Sequence, residues 1–271
     1  MAPSPVKRQK VRVPFFTQDY HVVAELGTGT SRDPFILPLA KARNRSGCYH
    51  CISTTCCCNF FDGLLRDAFE SIHIKRENET GSTKHLCPKS LLPTFISRMV
   101  RLLKVTEDDT FYDLGCGNGS VLFQVAFMTG ARCVGVELSP HNAEVARQAW
   151  AVLRPQLEKK AGRRMPEVTI ITGDIGELCA AADFFGPRPV ILTSNLLFPK
   201  SVTCFMAERF RQLPIGTRIL CFDDLYPHTR SVAASRDPEA FELFTMEDYV
   251  WQEMSVEWCV RPGPFYIHRR Q

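Results

Sequence analysis

Three acidic residues each follow an apolar segment, and the first of them precedes a glycine-rich turn. The stretch FYDLGCGNGS, which begins at Phe111, places Asp113 two residues before the first of three glycines at alternate positions. Glu137 ends the apolar segment CVGVE, and Asp174 comes two residues after VTIIT. Ionised carboxylates bind cationic groups and accept hydrogen bonds from hydroxyl and amine groups. The three acids therefore predict a binding site for one small molecule that is polar and partly cationic.

The glycine spacing indicates which kind of molecule that is. Glycines let the backbone turn sharply after a strand and approach a ligand closely. The spacing G-x-G-x-G differs from the G-x-G-x-x-G of dinucleotide sites, whose backbone amides hold a pyrophosphate. Asp113 would repel a phosphate, whereas S-adenosylmethionine carries an ammonium and a sulfonium and no phosphate. We expect Glu137 to accept from its ribose hydroxyls, Asp174 to accept from the adenine amine and Ile175 to pack on the ring. A purely structural tight turn is the alternative.

The elements that position these residues alternate between strand and helix. Apolar runs predict strands at 110–114, 133–137, 168–172, 190–194 and 218–222, with helices at 119–129, 140–160, 176–185 and 200–212. Two closing strands are predicted at 255–260 and 264–268, and helices at 60–74 and 90–104 precede the regular part. Such alternation is typical of an α/β fold with a parallel sheet, whose ligands bind beyond the carboxyl ends of the strands. We expect an N-terminal region at 1–90, partly helical and otherwise irregular, and a catalytic domain at 91–271.

The end of the fourth strand carries groups that suit a methyl acceptor. In VILTSNLLFP, which spans 190–199, Ser194 and Asn195 offer polar groups and Phe198 offers an aromatic wall. Asn195 and Phe198 have the spacing of the Asn-Pro-Pro-aromatic motif of adenine-amine methyltransferases, but both prolines are missing. The alternative is a helix N-cap at Ser194 or Asn195 with Phe198 in the core.

Several of these stretches resemble one family in order. The segments DLGCGNGSVLFQVA, GVELSPHNAEVA, ITGDI, SNLLFP, ERFRQLPIGTRIL and SVEWCVRPGPFYIH follow the pattern of the non-SET histone H3 lysine methyltransferases, the disruptor-of-telomeric-silencing family. The resemblance covers roughly 104–271, and the chain's size is similar to that of the compact kinetoplastid members. It implies a Rossmann-like class I methyltransferase sheet, S-adenosylmethionine as cofactor, a lysine in the core of histone H3 on nucleosomes as acceptor, and a nuclear protein.

The resemblance also implies roles for individual residues. The lysine channel and its polar contacts would come from Ser194, Asn195, Phe198, Trp258, Phe265 and Tyr266. The cofactor-binding residues expected from the turn and the resemblance together are Asp113, Gly115, Cys116, Gly117, Asn118, Gly119, Ser120, Glu137, Leu138, Asp174 and Ile175. The chain departs from the family where Ser194 replaces the first of two asparagines. The family's Tyr-Gly-Glu-Thr loop is also not visible, so Lys89 and Ser90 are the candidates for closing over the cofactor.

Charge and targeting signals bear on partners and location. The net charge is only +4, and basic residues gather near the start of the chain at Lys7, Arg8, Lys10 and Arg12. Such clusters attract phosphate backbones, so we expect weak, salt-dependent contact with nucleosomal DNA. Solvated termini are the alternative reading. The start has no apolar segment typical of a signal peptide, and no apolar run is long enough to cross a membrane.

A cysteine-rich segment, CYHCISTTCCC, occupies 48–58. Cys48 and Cys51 form one ligand-like C-x-x-C pair, but the separated second pair of a zinc knuckle is missing. Free thiols are therefore favoured, and no metal site is predicted.

Two other functions remain open on the sequence alone. One is methylation of an adenine amine in RNA or DNA, and the other is a chromatin-binding module without turnover. Intact acids at all three cofactor positions argue against a module that has lost its activity. The number of methyl groups added and the oligomeric state are not encoded in these patterns.

Overall fold

The computed structural model describes residues 10–12, 21–23, 57–72, 90–181, 183–228, 232–251, 256–259 and 261–271. Its main feature is a seven-stranded sheet in the order β5-β4-β3-β6-β7-β9-β8. The strands are β3 (Thr110–Leu114), β4 (Arg132–Glu137), β5 (Val168–Thr172), β6 (Pro189–Thr193), β7 (Arg218–Cys221), β8 (Phe244–Trp251) and β9 (Gly263–Arg270). All pairings are parallel except those of β9 with β7 and β8.

This strand order, with one antiparallel strand inserted near an edge, is the Rossmann-like arrangement of class I methyltransferases. The α/β fold class and the parallel sheet predicted from the sequence are confirmed. A separate pair of short antiparallel strands, β1 (Lys10–Arg12) and β2 (His21–Val23), precedes the sheet in sequence.

Helices cover both faces of the sheet. They are α1 (Cys57–Ser71), α2 (Pro93–Leu102), α3 (Ser120–Thr129), α4 (Pro140–Ala161), α5 (Ile175–Leu178), α6 (Lys200–Phe210), α7 (Ala233–Arg236) and α8 (Pro238–Leu243). None of these helices is both long and apolar enough to cross a lipid bilayer.

The central strand β3 divides the hydrophobic core in two, because successive residues of a strand point to opposite faces. Phe111 packs with the residues of α2, α3 and α4, and its neighbour Tyr112 packs with Phe210 of α6 on the other face. Strands buried on both faces read as continuous apolar runs, which explains why the central strands were predictable.

A crevice opens at the carboxyl ends of β3 and β6. The two strands are neighbours, with Leu114 paired to Thr193, but α3 follows β3 on one face and α6 follows β6 on the other. The connections therefore diverge at this point, which is where ligands of open α/β sheets bind.

Two predicted elements are wrong. Within the strand predicted at 255–260, the described residues 256–259 form a turn held by isolated bridges of Val256 with Leu91 and with Cys259. The edge of the sheet is instead β8, whose sequence FTMEDYVW carries two adjacent acids and so lacks a clear alternation of apolar residues. The helix predicted at 176–185 ends at Leu178, and Phe184 and Phe185 turn inward onto the Tyr112 ring.

The N-terminal helix α1 packs on the same core as the sheet. Phe61 stacks on Phe127 of α3 with ring centroids 5.9 Å apart. The boundary between regions at residue 90 stays a prediction, and Cys48, Cys51 and Cys56 lie outside the described residues, as does Lys89.

Gly263 provides a test of how tightly the edge strands pack. It pairs with Trp251 across β8 and β9, and a Cβ added there would overlap the buried indole of Trp251. We expect Gly263→Ala to lower the free energy of unfolding by about 1–3 kcal/mol, the usual cost of overpacking.

The control is Gly63→Ala in α1, where a Cβ would meet nothing within 4 Å. Alanine in a helix interior is favoured over glycine by roughly 0.5–1 kcal/mol, so this variant should be as stable as the parent or more so. Denaturant titrations measure both changes. Equal stability of Gly263→Ala and the parent would show that the edge packing is looser than described.

Candidate active site

A cavity of about 460 Å³ occupies the crevice at the carboxyl ends of the strands. Fourteen of the residues predicted from the sequence line it: Ser90, Asp113, Gly115, Cys116, Gly117, Asn118, Ser120, Glu137, Leu138, Asp174, Ile175, Ser194, Phe198 and Trp258. The fold thus brings together residues that are up to 168 positions apart in sequence: most lie at or just after the carboxyl ends of β3, β4, β5 and β6, whereas Ser90 lies before α2 and Trp258 in the turn at 256–259. The cavity is the candidate ligand site.

Asp113 is a buried carboxyl group at the wall of the cavity. It lies near the end of β3 and is 2% exposed, and although its backbone is paired in the sheet, its carboxyl group accepts no hydrogen bond from any described residue. Burial and, to a smaller extent, the nearby charge of Glu137 together raise the pKa of Asp113 to about 8. A carboxyl without a protein partner at the wall of a cavity suits a ligand that brings a positive charge.

Glu137 fixes the shape of the glycine turn. Its Oε2 atom accepts a hydrogen bond from the Gly117 amide at 2.8 Å, and its Oε1 atom accepts one from the Ser139 amide at 2.9 Å. One side chain therefore ties the turn after β3 to the start of α4. The sequence predicted Glu137 as a ligand contact but gave no sign of this second role.

The turn itself depends on backbone conformations that favour glycine. Gly115, Gly117 and Gly119 have φ angles of 90°, 53° and 78°. A Cβ at Gly115 would stand 2.8 Å from the Cζ atom of Phe198, so the aromatic ring lies directly over the turn. Gly119 caps α3 and packs on Phe123, and it does not line the cavity.

Asp174 begins the short helix α5. Its Oδ1 atom accepts a hydrogen bond from the Gly176 amide at 2.6 Å, which is an N-cap interaction. Asp174 and Ile175 are both at the cavity, so they occupy the position at which an adenine contact was predicted.

Asn195 does not reach the cavity. It is 1% exposed, and its amide is used by the loop after β7. Its Oδ1 atom accepts from the Phe222 and Asp223 amides at 3.0 and 2.9 Å, and its Nδ2 atom donates to the Asp223 carbonyl at 2.8 Å. Ser194 makes no helix-capping bond and stands at the cavity wall. Of these two polar residues, the structure leaves Ser194 at the acceptor side.

Trp258 is the aromatic wall that the structure provides. Its ring packs on Phe222 and Trp251, with centroids 5.4 and 6.1 Å apart. Phe265 and Tyr266 were predicted as further walls but do not line the cavity, because neighbours on a strand face opposite sides. Phe265 is fully buried against Phe95, and Tyr266 packs on the α6 face of the sheet.

Sequence reasoning missed several residues of the site. Phe222 packs edge-on against the Trp258 ring. The cavity wall also contains Leu91, Val121, Leu196, Leu197, Pro199 and Val202. Leu196 and Leu197 are 46% and 48% exposed. Apolar side chains exposed at a cavity mouth suggest contact with a ligand or partner, but no sequence pattern distinguishes them from core leucines.

The loop that carries Phe222 is also held by contacts of His228. His228 lies between two carboxylates, with Nδ1 3.2 Å from Asp224 and Nε2 3.1 Å from Asp248. The contact with Asp224 raises the pKa of His228 despite partial burial. The loop after β7 is therefore anchored by Asn195 on the cavity side and by an imidazole between two acids further on.

The charges around the cavity decide which ligand fits. Asp113, Glu137 and Asp174 are the charged residues of the lining, and no lysine, arginine or histidine accompanies them among its described residues. A phosphate would meet three carboxylates with no counter-charge, whereas an ammonium or sulfonium would be stabilised. The cavity fits S-adenosylmethionine and does not fit a dinucleotide.

Comparison with known proteins places the described domain in a family. The family model described as "Histone methylation protein DOT1" matches residues 89–270, which is more than half of the chain. A protein of Mycosarcoma maydis is 25% identical over 179 residues, which are 65% of this chain and 22% of that protein. A protein of Dictyostelium discoideum is 26% identical over 169 residues, which are 61% of this chain and 9% of that protein.

Both of these relatives are named "Histone-lysine N-methyltransferase, H3 lysine-79 specific". The chain spans less than a quarter of the length of either one. Among solved structures, an O-methyltransferase from Bacillus cereus in complex with SAH is 13% identical with a TM-score of 0.48, covering 78% of this chain and 90% of that one. That likeness is too low to bear on ligand or activity.

The raised pKa of Asp113 gives a testable pH dependence. An unfolded aspartate loses its proton near pH 4 whereas folded Asp113 keeps it to about pH 8, so the stability due to this group is present below pH 4 and is lost as pH rises towards 8. Asparagine does not ionise, so Asp113→Asn should not lose folding stability as the pH rises. We expect the ligand-free variant to melt several degrees higher than the parent at pH 8 and close to the parent at pH 4.5.

Asp174→Asn is the matched control, because Asn also caps a helix and Asp174 is exposed. Its melting temperature should differ from that of the parent by the same amount at both pH values. Thermal melts across this range measure both variants. A pH-independent effect of Asp113→Asn would contradict the assignment.

Proposed function

The chain belongs to the DOT1 family of histone methylation proteins, and we propose that it methylates the side-chain amine of a lysine in the folded core of histone H3, on nucleosomes, with S-adenosylmethionine as the methyl donor. The observation that carries this proposal is the buried Asp113, which has no hydrogen-bond partner among the described residues and lies in a cavity whose described lining has no basic residue. It belongs to the segment that the family model matches. We take residues 91–271 as the catalytic domain and 1–90 as an N-terminal region.

The donor side of the cavity is built from the glycine turn and the three acids. Asp113 would bind the ammonium end of the donor, Glu137 the ribose hydroxyls and Asp174 the adenine amine, with Ile175 against the ring. When bound, S-adenosylmethionine supplies an electrophilic methyl group on a sulfonium centre. The glycines at 115 and 117 keep the turn free of side chains there.

The acceptor side is mainly apolar. Phe198, Trp258, Leu196 and Leu197 line it, and Ser194 is its polar group. A lysine has a reference pKa of about 10.4, so about one in a thousand is neutral near pH 7.4. Apolar walls disfavour the ammonium form and lower that pKa, which increases the neutral fraction of the acceptor.

This part of the lining contains, among its described residues, no acid or histidine to act as a base. The chain's contribution is therefore to orient the amine through Ser194, to exclude water with Phe198 and Trp258, and to favour the unprotonated acceptor. No protein group need accept the proton, because the lysine ammonium can lose its proton to solvent before the side chain enters the acceptor side of the cavity.

The adenine-amine alternative is disfavoured by the position of Asn195. An adenine-amine methyltransferase would need the asparagine amide to face the acceptor. Here the oxygen and the nitrogen of the Asn195 amide are both hydrogen-bonded to the backbone of Phe222 and Asp223. For the substrate and location we rely on the names of the relatives, which act on histone H3. We accordingly propose a nuclear, chromatin-bound protein.

The direct test of this function compares acceptors. The full chain is incubated with labelled S-adenosylmethionine and nucleosomes, free histone H3 or RNA, and the products are located by mass spectrometry. We expect methylation of a core lysine of H3 in nucleosomes. Labelling of RNA alone, or no transfer to any of these acceptors while the donor binds, would refute the proposal.

Trp258 tests the acceptor wall, because its side chain lines the cavity while the contacts between Ser90 and Glu257 do not involve its ring. Trp258→Ala should lower kcat/KM for nucleosomes by roughly 10- to 100-fold, because the acceptor loses its aromatic wall and its alignment. The Kd for S-adenosylhomocysteine, measured by calorimetry, should stay within about threefold, since the three acids remain.

Phe241→Ala is the control for this variant, because Phe241 is partly exposed on α8 and does not line the cavity. It should retain the parent's kcat/KM. An equal loss in both variants would mean that the decrease reflects general stability and not the acceptor wall.

The basic residues at the start of the chain test the proposed interaction with DNA. Removal of residues 1–12 deletes Lys7, Arg8, Lys10 and Arg12. We expect weaker nucleosome binding and a shallower slope of log K against log salt, by about 0.9 for each phosphate that the protein no longer neutralises, with unchanged donor affinity. Nucleosome titrations at several salt concentrations measure the slope. An equal decrease in nucleosome affinity and donor affinity would contradict an interaction with DNA.

A further inference from the structure

We propose that Glu257 is a positioning residue that couples the Ser90–Leu91 segment of the cavity to the Trp258 wall, so that donor binding and the placement of the acceptor wall depend on each other. This inference rests on the proposed function, because it takes Ser90 and Leu91 as donor-side contacts and Trp258 as an acceptor-side contact.

The coupling consists of reciprocal contacts between segments that are far apart in sequence. The Glu257 Oε2 atom accepts a hydrogen bond from the Ser90 amide at 2.7 Å, and the Glu257 amide donates to the Ser90 carbonyl at 3.0 Å. Leu91 pairs with Val256 in an isolated bridge directly beside them. Both backbone groups of Ser90 are thereby tied to one residue of the 256–259 turn.

That turn carries Trp258. Val256 pairs with Cys259, which closes the turn around Glu257 and Trp258. Ser90, Leu91 and Trp258 all line the cavity, whereas exposed Glu257 stands beside it and makes the connection. A shift of the Ser90 backbone on ligand binding would therefore be transmitted through Glu257 to the residue next to it.

Trp258 is also fixed on its other side. Its ring packs on Phe222, whose amide is held by Asn195. The indole thus has one support that belongs to the sheet and one that belongs to the Ser90–Leu91 segment. The second support is the one that a ligand in the cavity can alter, because Ser90 and Leu91 are at the wall and Asn195 is not.

The carboxylate is the part of this connection that a substitution can remove selectively. Glu257→Ala deletes the acceptor for the Ser90 amide but leaves the backbone bond and the bridge. Glu257→Gln keeps an oxygen acceptor without the charge, so it should restore most of the effect. Ser90→Pro removes the donor from the other partner, because proline has no amide hydrogen.

The experiment measures S-adenosylhomocysteine binding by calorimetry and by tryptophan fluorescence, followed by kcat and KM with nucleosomes. We expect Glu257→Ala to raise the Kd for S-adenosylhomocysteine about tenfold, the size of effect that removal of one hydrogen bond to a charged group produces. The fluorescence change on binding, assigned to Trp258 by comparison with Trp258→Phe, should largely disappear. KM for nucleosomes should rise more than kcat falls.

Glu167→Ala is the matched control, because Glu167 is an exposed glutamate that pairs with Arg132 beyond the amino end of β5. It should behave as the parent in every measurement. Glu257→Gln should lie within about threefold of the parent in Kd. If Glu257→Ala does not fold, as judged by circular dichroism, Ser90→Pro carries the same expectations.

Unchanged donor affinity and an unchanged fluorescence response in folded Glu257→Ala or Ser90→Pro would overturn the inference, and the contact would then be structural only. A lowered melting temperature without these changes would have the same meaning. The binding measurements need no acceptor. A parent protein that shows the coupled response but methylates no nucleosome would refute the proposed function and leave the coupling standing.

Discussion

A carboxyl group buried at a cavity wall, with no hydrogen-bond partner among the described residues, is the constraint on which the site depends. Asp113 opposes folding in its ionised form, because burial and the charge of Glu137 both act against it. The described lining does not relieve this cost with a cation of its own, although arginines are abundant elsewhere on the sheet. A cationic ligand can stabilise the ionised Asp113 only if no protein side chain fills the cavity beside it. The glycine turn carries no side chains at Gly115 and Gly117, so that volume stays open.

The sheet topology makes such a concentration of charge possible. Asp113, Glu137 and Asp174 come from three consecutive strand ends, and parallel strands deliver them to the same edge. The charge of Glu137 is itself stabilised, because both of its carboxylate oxygens accept hydrogen bonds from backbone amides. Glu137 thereby lines the cavity and also fixes the backbone of the glycine turn. Removing it would alter the backbone near Asp113 as well as the charge.

The residues predicted to bind the cofactor reach the cavity more consistently than those predicted for the lysine channel. The donor side is local, since each acid directly follows its strand and the glycines specify their own backbone angles. Strands β3 and β5 were predicted at their observed bounds, and β4, β6 and β7 to within one residue at each end. On the acceptor side, Asn195, Phe265 and Tyr266 lie away from the cavity, and β8 was not predicted. Asn195 is turned away because its amide is bonded to the loop after β7, and Phe265 and Tyr266 of β9 pack on the two faces of the sheet. Tertiary packing decides these positions.

The two sides of the site also differ in how firmly they are held. The three acids proposed to bind the donor lie at or just after the ends of β3, β4 and β5, and the turn beside them has glycines at positive φ. The proposed acceptor wall at Trp258 depends on three separate pieces of chain: the turn at 256–259 that carries it, the loop that starts at Phe222, and the donor-side Ser90–Leu91 segment to which the turn is bonded. Each piece is held by a few side-chain contacts, those of Asn195, Glu257 and the stacked rings. The position of Trp258 therefore depends on side-chain contacts between segments that are far apart in sequence, whereas the three acids are positioned by the strands at whose ends they lie.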